Sequence, residues 1–455
     1  MPPFHNFPEK FSKKRAAGAL LCEVAMQGRF EKRLLAAVIV GAVLAAVGLI
    51  AAADPALAEP PTQQQIDWCI NADHKSSADQ QIAGCTAAIQ SGKWSGKGLA
   101  WAFNDRGFAY LLSENGLDHA LADFTEAIRL DPNDAVAYAN RGIIYQRNGD
   151  LDQAIAEYDE AIRLDPTYVF GFQNRGNAYR REGEFDRAIA DFSEAIRLDP
   201  TFTVALKSRG SAYLAKGDID KAIADYDQII QLDPKNEDTF NNRCAAYELK
   251  GDPDRALTDC DEAIRLNPQD PAAFNTRGSS YRLKGDFGRA IADFSEAIRL
   301  DPDAPTPYFN RGVTYLHSGA PAQAAADFDR LIQLSPANPY AALWLDIAAD
   351  RGNLPSQYTQ AISRLDMTRW PAPILRLYLG QLTPEDVLAA ADDADAKTKQ
   401  RQLCESDFFI GQLTLRRHDK DKAVRLFQQV AAGCRNEVLL SADATAELKR
   451  LGVTP

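Results

Sequence analysis

The sequence predicts an all-α protein, a superhelical solenoid in which helix-turn-helix hairpins repeat along the chain. Three observations predict this fold: small residues recur at a nearly constant interval, alanine and aromatic residues recur in register with them, and a proline closes each interval. A hydrophobic content of 45% and a charged content of 25% are ordinary for a chain that buries a core. The small residues stand 35 residues apart once and 34 apart five times, at Gly107, Gly142, Gly176, Gly210, Cys244, Gly278 and Gly312.

Each interval also carries a fixed set of packing residues. A tyrosine follows the small residue by three positions, and an aromatic residue stands four positions after a recurring alanine in every interval except one, which has Cys260. Small residues let two helices approach closely, aromatic rings fill the space between hairpins, and proline ends a helix because it lacks an N–H. Over residues 100–338 this set resembles the tetratricopeptide-repeat (TPR) family in seven copies. The resemblance implies seven stacked hairpins, each with a helix A and a helix B.

Weaker copies of the pattern flank the seven repeats. Residues 62–98 are predicted to form a degenerate hairpin, because Cys69 and Cys85 stand 16 residues apart, as two cysteines of the fifth repeat do. Residues 339–455 are predicted to form a helical C-terminal region, which repeats the small, alanine and aromatic spacing once more at Gly411, Ala423 and Phe427.

Residues 1–58 have the order of a basic leader followed by a secretory signal. Basic residues precede the uncharged apolar run 34–53, and Ala56-Leu-Ala58 follows it, which predicts cleavage between Ala58 and Glu59. The run is longer than the ~7–15 residues usual in a signal peptide, so the alternative is an uncleaved membrane anchor. Both interpretations predict that everything after residue 58 lies outside the cytoplasm, because the positive flank stays inside.

The charge of the chain argues against nucleic-acid partners. Removal of residues 1–58 would leave 44 Lys and Arg residues against 59 Asp and Glu residues. Nucleic acids and anionic lipid surfaces both attract a basic footprint, which this composition lacks. We therefore expect protein or peptide partners, and contact with a membrane only through segment 34–53.

Six of the seven cysteines follow the predicted signal, as an oxidising compartment requires. In a hairpin of the predicted kind, cysteines 16 residues apart face each other across the two helices, within the ~5.5 Å Cα separation that a disulfide prefers. A third pair would join the start of one helix to the end of its partner. The predicted disulfides are Cys69 with Cys85, Cys244 with Cys260, and Cys404 with Cys434. The alternative is three pairs of buried thiols that pack as small apolar side chains.

No catalytic or metal-binding motif appears in the sequence. G-x-S-x-G, P-loop, H-E-x-x-H and G-x-G-x-x-G patterns are missing, and no Cys/His cluster has ligand spacing. We therefore expect neither an enzyme nor a cofactor or metal. His317 is interpreted as a packing or surface residue. The paired acids, such as Asp159-Glu160 and Asp261-Glu262, are interpreted as a solvent-facing stripe of helix B.

Helix A carries arginine at its seventh position in all seven repeats: Arg106, Arg141, Arg175, Arg209, Arg243, Arg277 and Arg311. A structural ion pair between the two helices explains this regularity better than a ligand does. The expected partners are acids near the end of helix B, at Asp131, Asp165, Asp199, Asp233 and Asp301.

In TPR superhelices the inner surface comes from positions two, five, six, nine and twelve of helix A. Here these positions are rich in amides and hydroxyls, and the predicted peptide-binding residues are Asn140, Gln173, Asn174, Asn177, Arg180, Lys207, Asn241, Asn242, Asn275, Arg282 and Asn310. The recurring asparagine at position six looks like the ladder by which some TPR superhelices hold an extended backbone, since amides both donate and accept. The alternative is that Asn-Arg-Gly is simply a common helix A consensus.

The C-terminal part resembles the bacterial TPR lipoproteins of the NlpI type. The similar stretches are Tyr340-Ala-Ala-Leu-Trp-Leu, Tyr378-Leu-Gly-Gln and Glu405-Ser-Asp-Phe-Phe-Ile-Gly. The resemblance implies an envelope adaptor that forms homodimers and brings peptidoglycan hydrolases to a processing protease. The chain departs from that type in having more repeats and no lipid-attachment cysteine after the apolar run.

The sequence therefore predicts a periplasmic or otherwise extracytoplasmic scaffold that holds proteins or extended peptides in a groove, in cell-envelope assembly or peptidoglycan-enzyme turnover. Two alternatives stay open: a secretion or assembly chaperone, and the regulatory, non-catalytic part of an envelope enzyme.

Overall fold

A computed structural model describes residues 60–71, 74–114, 116–434 and 437–454. The leader, the apolar run 34–53 and the predicted cleavage site lie outside these residues. The described residues contain 23 α-helices and no strand, so the predicted all-α class and the repeated helix-turn-helix architecture are confirmed. No helix in this part is long and apolar enough to cross a bilayer. The chain divides into two compact units at Lys216 and Gly217, called here the N-terminal and C-terminal units.

The N-terminal unit consists of nine α-helices and one short 3₁₀ turn, Gly96–Leu99, within its described residues. The helices pack as antiparallel neighbours in chain order. They are α1 (Gln63–Ile70), α2 (Ala78–Gln90), α3 (Ala100–Leu111), α4 (Leu117–Leu130), α5 (Ala135–Asn148), α6 (Leu151–Leu164), α7 (Val169–Glu182), α8 (Phe185–Leu198) and α9 (Thr203–Lys216).

The C-terminal unit continues the hairpins and ends in a helical region with a larger core. Its helices are α10 (Ile219–Leu232), α11 (Glu237–Lys250), α12 (Pro253–Leu266), α13 (Pro271–Leu283), α14 (Phe287–Leu300), α15 (Pro305–His317), α16 (Pro321–Leu334), α17 (Pro339–Gly352), α18 (Tyr358–Ile362), α19 (Ala372–Tyr378), α20 (Pro384–Ala390), α21 (Ala396–Arg416), α22 (Lys420–Gly433) and α23 (Val438–Arg450).

The hairpin α13–α14 shows how the repeat sequence specifies its own packing. Gly285 ends the first helix with φ +75°, and the Asp286 carboxylate caps the second by accepting from the backbone N–H of Arg289. Phe294 is fully buried, and a Cβ on Gly278 would stand only 2.7 Å from its ring. Glycine is therefore required there because the aromatic ring of helix B lies directly on the backbone of helix A.

Both predicted flanking hairpins have the expected helices. In the N-terminal unit, α1 and α2 pack together around buried Cys69 and Cys85. In the C-terminal unit, a Cβ on Gly411 would stand 2.8 Å from the ring of Phe427, which reproduces the close approach seen in the repeats. The α21–α22 hairpin is therefore built on the repeat pattern.

The structure has a disulfide at each of the three predicted pairs. The Cα separations are 4.6 Å for Cys69–Cys85, 5.5 Å for Cys244–Cys260 and 6.0 Å for Cys404–Cys434. The expectation that Cys404 begins its helix is wrong. Helix α21 starts at Ala396 with an Asp395 cap, so the cysteine lies inside a 21-residue helix. The pairing is still possible because α22 is shorter and ends beside that internal position.

Candidate peptide-binding surface

The arginines that recur at position seven of helix A form ion pairs, but not with the expected acids. Arg311 forms two hydrogen bonds with Asp327, at 2.9 and 2.7 Å, and Arg243 does the same with Asp259 at 2.7 Å. These aspartates lie in the middle of helix B, beside the packed aromatic or cysteine, whereas the expected acids lie at its end. The prediction of the partner was wrong because the guanidinium points across the hairpin and not along it. Equivalent pairs are Arg106–Asp123, Arg141–Glu157, Arg175–Asp191 and Arg277–Asp293.

The same arginines also reach the preceding repeat. Arg175 bonds Asp159 at 2.6 Å, and Arg277 bonds Asp261 at 2.8 Å, in each case 16 residues earlier in the chain. The first acid of each paired Asp-Glu is exposed, as predicted, and it also links its repeat to the next one. The second acid is half-buried and pairs within its own helix, as Glu262 does with Arg265.

On the inner face of the N-terminal unit, amide and hydroxyl side chains join neighbouring A helices. The side-chain amide of Asn140 on α5 donates to the side-chain oxygen Oδ1 of Asn104 on α3 at 3.0 Å. That of Gln173 on α7 donates to the hydroxyl of Ser208 on α9 at 2.9 Å. Lys207, also predicted for this face, is half-buried on α9. The predicted polar surface is thus assembled, and part of its hydrogen-bonding capacity is used to hold the repeats together.

Helix α7 has hydrogen-bonding atoms that this network leaves unused. Gln173 is 1% exposed, and its Oε1 acceptor has no partner among the described residues. The Nδ2 donor of Asn174 and the Nε of Arg180 are likewise buried and unpartnered within that part of the chain. Asn177 is buried one turn further along. A buried polar atom without a hydrogen-bond partner lowers the stability of the fold. A ligand that supplied the missing partners would therefore be bound more tightly.

The same face carries an acidic pair at its other end. Burial, and secondarily the charge of Asp134, raises the pKa of Asp105 from its ordinary value of 3.8 to about 7. Burial also raises the pKa of Asp134, which caps α5 by accepting from the backbone N–H groups of Val136 and Ala137. Asp105 therefore gains its negative charge only as the pH rises through about 7.

Asp105→Asn is expected to stabilise the N-terminal unit at pH 8 by roughly 2–4 kcal/mol and to change little at pH 4. Because the folded-state pKa is raised, the native protein holds this proton more tightly than the unfolded chain does. Its stabilising effect is therefore complete below about pH 4 and is lost as pH rises through about 7. Urea unfolding of both proteins at several pH values measures the difference, and an equal difference at pH 4 and pH 8 would contradict the assignment.

In the C-terminal unit, the predicted inner-face residues are largely buried. The side-chain amide of Asn310 on α15 donates to the side-chain oxygen Oδ1 of Asn275 on α13 at 3.0 Å, which repeats the amide pairing of the N-terminal unit. Asn241 and Asn242 of α11 are buried, and the Oδ1 of Asn241 has no hydrogen-bond partner among the described residues. Arg282 is not open to a ligand, because it bonds Asp443 of α23 at 2.6 Å.

Helix α23 was not singled out in the sequence, yet it packs on this face and contacts both α11 and α15. His317 is buried beneath it, with Nδ1 3.8 Å from Asp443 and Nε2 4.0 Å from Glu447. Burial lowers the pKa of His317, which favours the neutral imidazole. The histidine is therefore a packing residue, as expected. The acids of α23 could have been noticed as a pair four residues apart between leucines.

No group of three or more His, Cys, Asp or Glu side chains that could hold a metal ion occurs in the described residues.

Family models match several parts of the chain. A model described as "TPR repeat" matches residues 110–149 and 278–319, and two described as "Tetratricopeptide repeat" match residues 174–237 and residues 135–168 and 237–270.

Solved structures with similar helices include a tetratricopeptide repeat protein from Parabacteroides merdae, which is 21% identical, with a TM-score of 0.47 over 55% of this chain and 98% of that one. MamA is 25% identical, with a TM-score of 0.33 over 35% of this chain and 94% of that one. YrrB, described as a TPR protein with an unusual peptide-binding site, is 23% identical, with a TM-score of 0.29 over 48% of this chain and 95% of that one.

Proposed function

We propose that this chain, which contains tetratricopeptide repeats, is an extracytoplasmic adaptor that holds extended segments of partner proteins on the inner face of α3, α5, α7 and α9. TPR proteins bind protein or peptide partners, and stacked repeats form extended concave surfaces suited to that task. What is specific to this chain is the chemistry of the N-terminal unit's surface.

The unused atoms of α7 carry the proposal. Gln173 offers a buried acceptor and the adjacent Asn174 a buried donor. A peptide backbone presents one N–H donor and one C=O acceptor per residue, so an extended segment could satisfy both atoms whatever its side chains are. The hydrogen bond from Gln173 to Ser208 fixes the amide orientation, so the acceptor is already in place before a ligand arrives.

An apolar edge beside the amides favours segments that also carry apolar side chains. Position two of helix A is apolar in all four repeats that contribute to this face, and Val136 there is 40% exposed. Phe170 packs edge-on against Phe202 at 5.4 Å and keeps part of its surface open. Positions two, five, six and nine share one side of a helix, so apolar side chains and backbone can be bound together. The four edge residues are Trp101, Val136, Phe170 and Val204.

The test uses an unfolded polypeptide of known identity. The probe is reduced and carboxymethylated α-lactalbumin with a fluorescent label, and we expect it to bind the full chain. The variant Gln173→Ala/Asn174→Ala should bind it about tenfold more weakly, because two hydrogen bonds to the peptide backbone of ~0.5–1.5 kcal/mol each are lost. Fluorescence anisotropy measures both affinities.

Asn148→Ala is the matched control, since Asn148 is an exposed amide at the end of α5 and should leave binding unchanged. Equal affinity of the wild-type and double-variant chains would remove the inner face as the site. Equal affinity for native α-lactalbumin would remove extended segments as the ligand.

The location outside the cytoplasm is supported by the cysteines. All six cysteines after the predicted signal are paired as disulfides, which persist mainly in oxidising compartments. The C-terminal resemblance implies the rest of the proposal, which is a homodimeric adaptor in envelope assembly or wall-enzyme turnover.

Export can be tested by N-terminal sequencing of the protein from the envelope fraction, and we expect the sequence to begin at Glu59. Recovery from the cytosol with free thiols would contradict export.

A further inference from the structure

Helix α23, the last helix among the described residues, lies against the A helices α11 and α15 of the C-terminal unit. Five residues of α23 are buried there in the pattern of one helix side: Leu440, Asp443, Ala444, Glu447 and Leu448. The helix packs mainly on α22, and it also contacts α11 and α15, with Arg282 of α13 bonding to it from between them. A groove between repeats therefore holds an amphipathic helix, which is a recurrent mode of peptide recognition.

Buried ion pairs, and not apolar contact alone, fix α23 in this position. Asp443 and Arg282 stand 2.6 Å apart, and their side chains are only 5% and 4% exposed. One turn further on, Glu447 pairs with Arg351 of α17 at 2.6 Å. Two carboxylates four residues apart thus match two guanidinium groups on separate helices. Buried charge pairs of this kind select a partner more than they add to affinity, because a mismatched residue leaves a charge unpaired.

The side chains around these two carboxylates include hydrogen-bond donors for which α23 provides no acceptor. Arg282 Nε, Arg351 Nη1 and Gln412 Nε2 are buried donors without partners among the described residues. The Nε2 of His317 is also buried and makes no hydrogen bond within the described residues, although Glu447 lies 4.0 Å away. A helix with further acceptors on its acidic side would satisfy these atoms better than α23 does.

The chain is constrained immediately before this helix. Cys434 closes α22 and is tied by a disulfide to Cys404 of α21. Departure of α23 would leave that hairpin fixed at its end. Leu440, Ala444 and Leu448 are part of the buried core of this unit, so the exchange proposed below requires α23 to leave while the other helices stay folded.

We propose that the inner face of α11, α13 and α15 is a binding surface for an amphipathic helix with two carboxylates four residues apart between leucines. Helix α23 is its resident occupant, and a partner protein's helix of the same pattern binds by replacing it. This proposal concerns the C-terminal unit and does not depend on extended segments binding to α7.

The experiment measures whether the surface binds the helix when it is supplied separately. The probe is a fluorescein-labelled peptide of residues 437–452, and the protein is the full chain carrying Leu440→Ala/Leu448→Ala, which removes both leucine contacts of the resident helix. We expect this variant to bind the peptide at least tenfold more tightly than the wild-type chain does. A peptide with Asp443→Asn/Glu447→Gln should bind at least tenfold more weakly.

Two controls keep the result interpretable. Lys449→Ala, on the exposed side of α23, should behave as wild type. Arg282→Ala added to the leucine variant should abolish peptide binding.

Hydrogen exchange provides the second measurement. It should show α23 unprotected in the leucine variant while α11 to α16 stay protected. Loss of protection in those helices as well would overturn the proposal, because α23 would then be an integral part of the unit's core. Absence of peptide binding to a folded variant, or equal binding of the amide peptide, would also overturn it.

Discussion

Replacement of Arg311 by methionine is expected to destabilise the C-terminal unit by about 3–5 kcal/mol, the loss typical when one partner of a buried ion pair is removed. Asp327 is 4% exposed and is bonded twice by Arg311. Without the guanidinium, its carboxylate would be left charged beside fully buried Phe328. Guanidinium unfolding followed by circular dichroism measures the effect, and hydrogen exchange should place it in α15 and α16.

Two further variants separate this cause from simple loss of a side chain. Arg299→Met breaks an exposed pair with Glu296 on α14 and should change stability by no more than about 0.5 kcal/mol. Arg311→Met/Asp327→Leu removes both charges and should recover most of the lost stability, since an apolar pair can replace a buried ion pair at little cost. A double variant as unstable as Arg311→Met would mean that the arginine acts through packing.

Removal of the first disulfide is expected to unfold the α1–α2 hairpin. Cys69→Ala/Cys85→Ala removes a disulfide between residues 16 apart in the sequence. A cross-link of this length stabilises the folded state by about 3 kcal/mol, because it lowers the entropy of the unfolded chain. Helix α1 has eight residues, and Cys69 is the only one of them that is buried. The hairpin has too little apolar surface to compensate, so its amides should lose protection against hydrogen exchange while α3 to α9 retain theirs.

The disulfide Cys244–Cys260 gives the comparison. It has the same 16-residue separation but lies in a hairpin that packs on α13 and has repeats after it. Cys244→Ala/Cys260→Ala should therefore lower stability and leave α11 and α12 helical. Retained protection of α1 and α2 after loss of the first disulfide would show that the terminal hairpin is stable without its covalent link.

The parts of the fold that depend on local spacing could be predicted from the sequence. The position of Gly278 and Phe294, 16 residues apart, already specifies a close approach between two helices of one hairpin. Cys244 and Cys260 occupy the same two positions in their own repeat, which is why their pairing could be proposed. In each case the partners are joined by one short turn.

The parts that depend on side-chain direction or on distant helices could not be predicted. The arginine partners were misassigned because several acids of helix B have the same 34-residue period, and spacing alone does not tell which of them Arg243 faces. Arg282 was assigned to a ligand-binding surface because nothing near it in sequence signals Asp443, which lies 161 residues away. The helix that lies against Arg282 in the C-terminal unit comes from a distant part of the chain, and no local spacing signals it.

The bonds that the helix A arginines make to helices on both sides bear on how the repeat array can change its length. Arg243 holds Asp227 and Asp259, which lie 16 residues before and after it, and Arg277 holds Asp261 and Asp293 in the same way. In other repeats a serine hydroxyl is the earlier acceptor, as Ser295 is for Arg311. Loss or duplication of one 34-residue segment would therefore again place an arginine between two acceptors. The joint between repeats is thus independent of which copies it joins, so unequal recombination within the gene could lengthen or shorten the array without creating a mismatched junction.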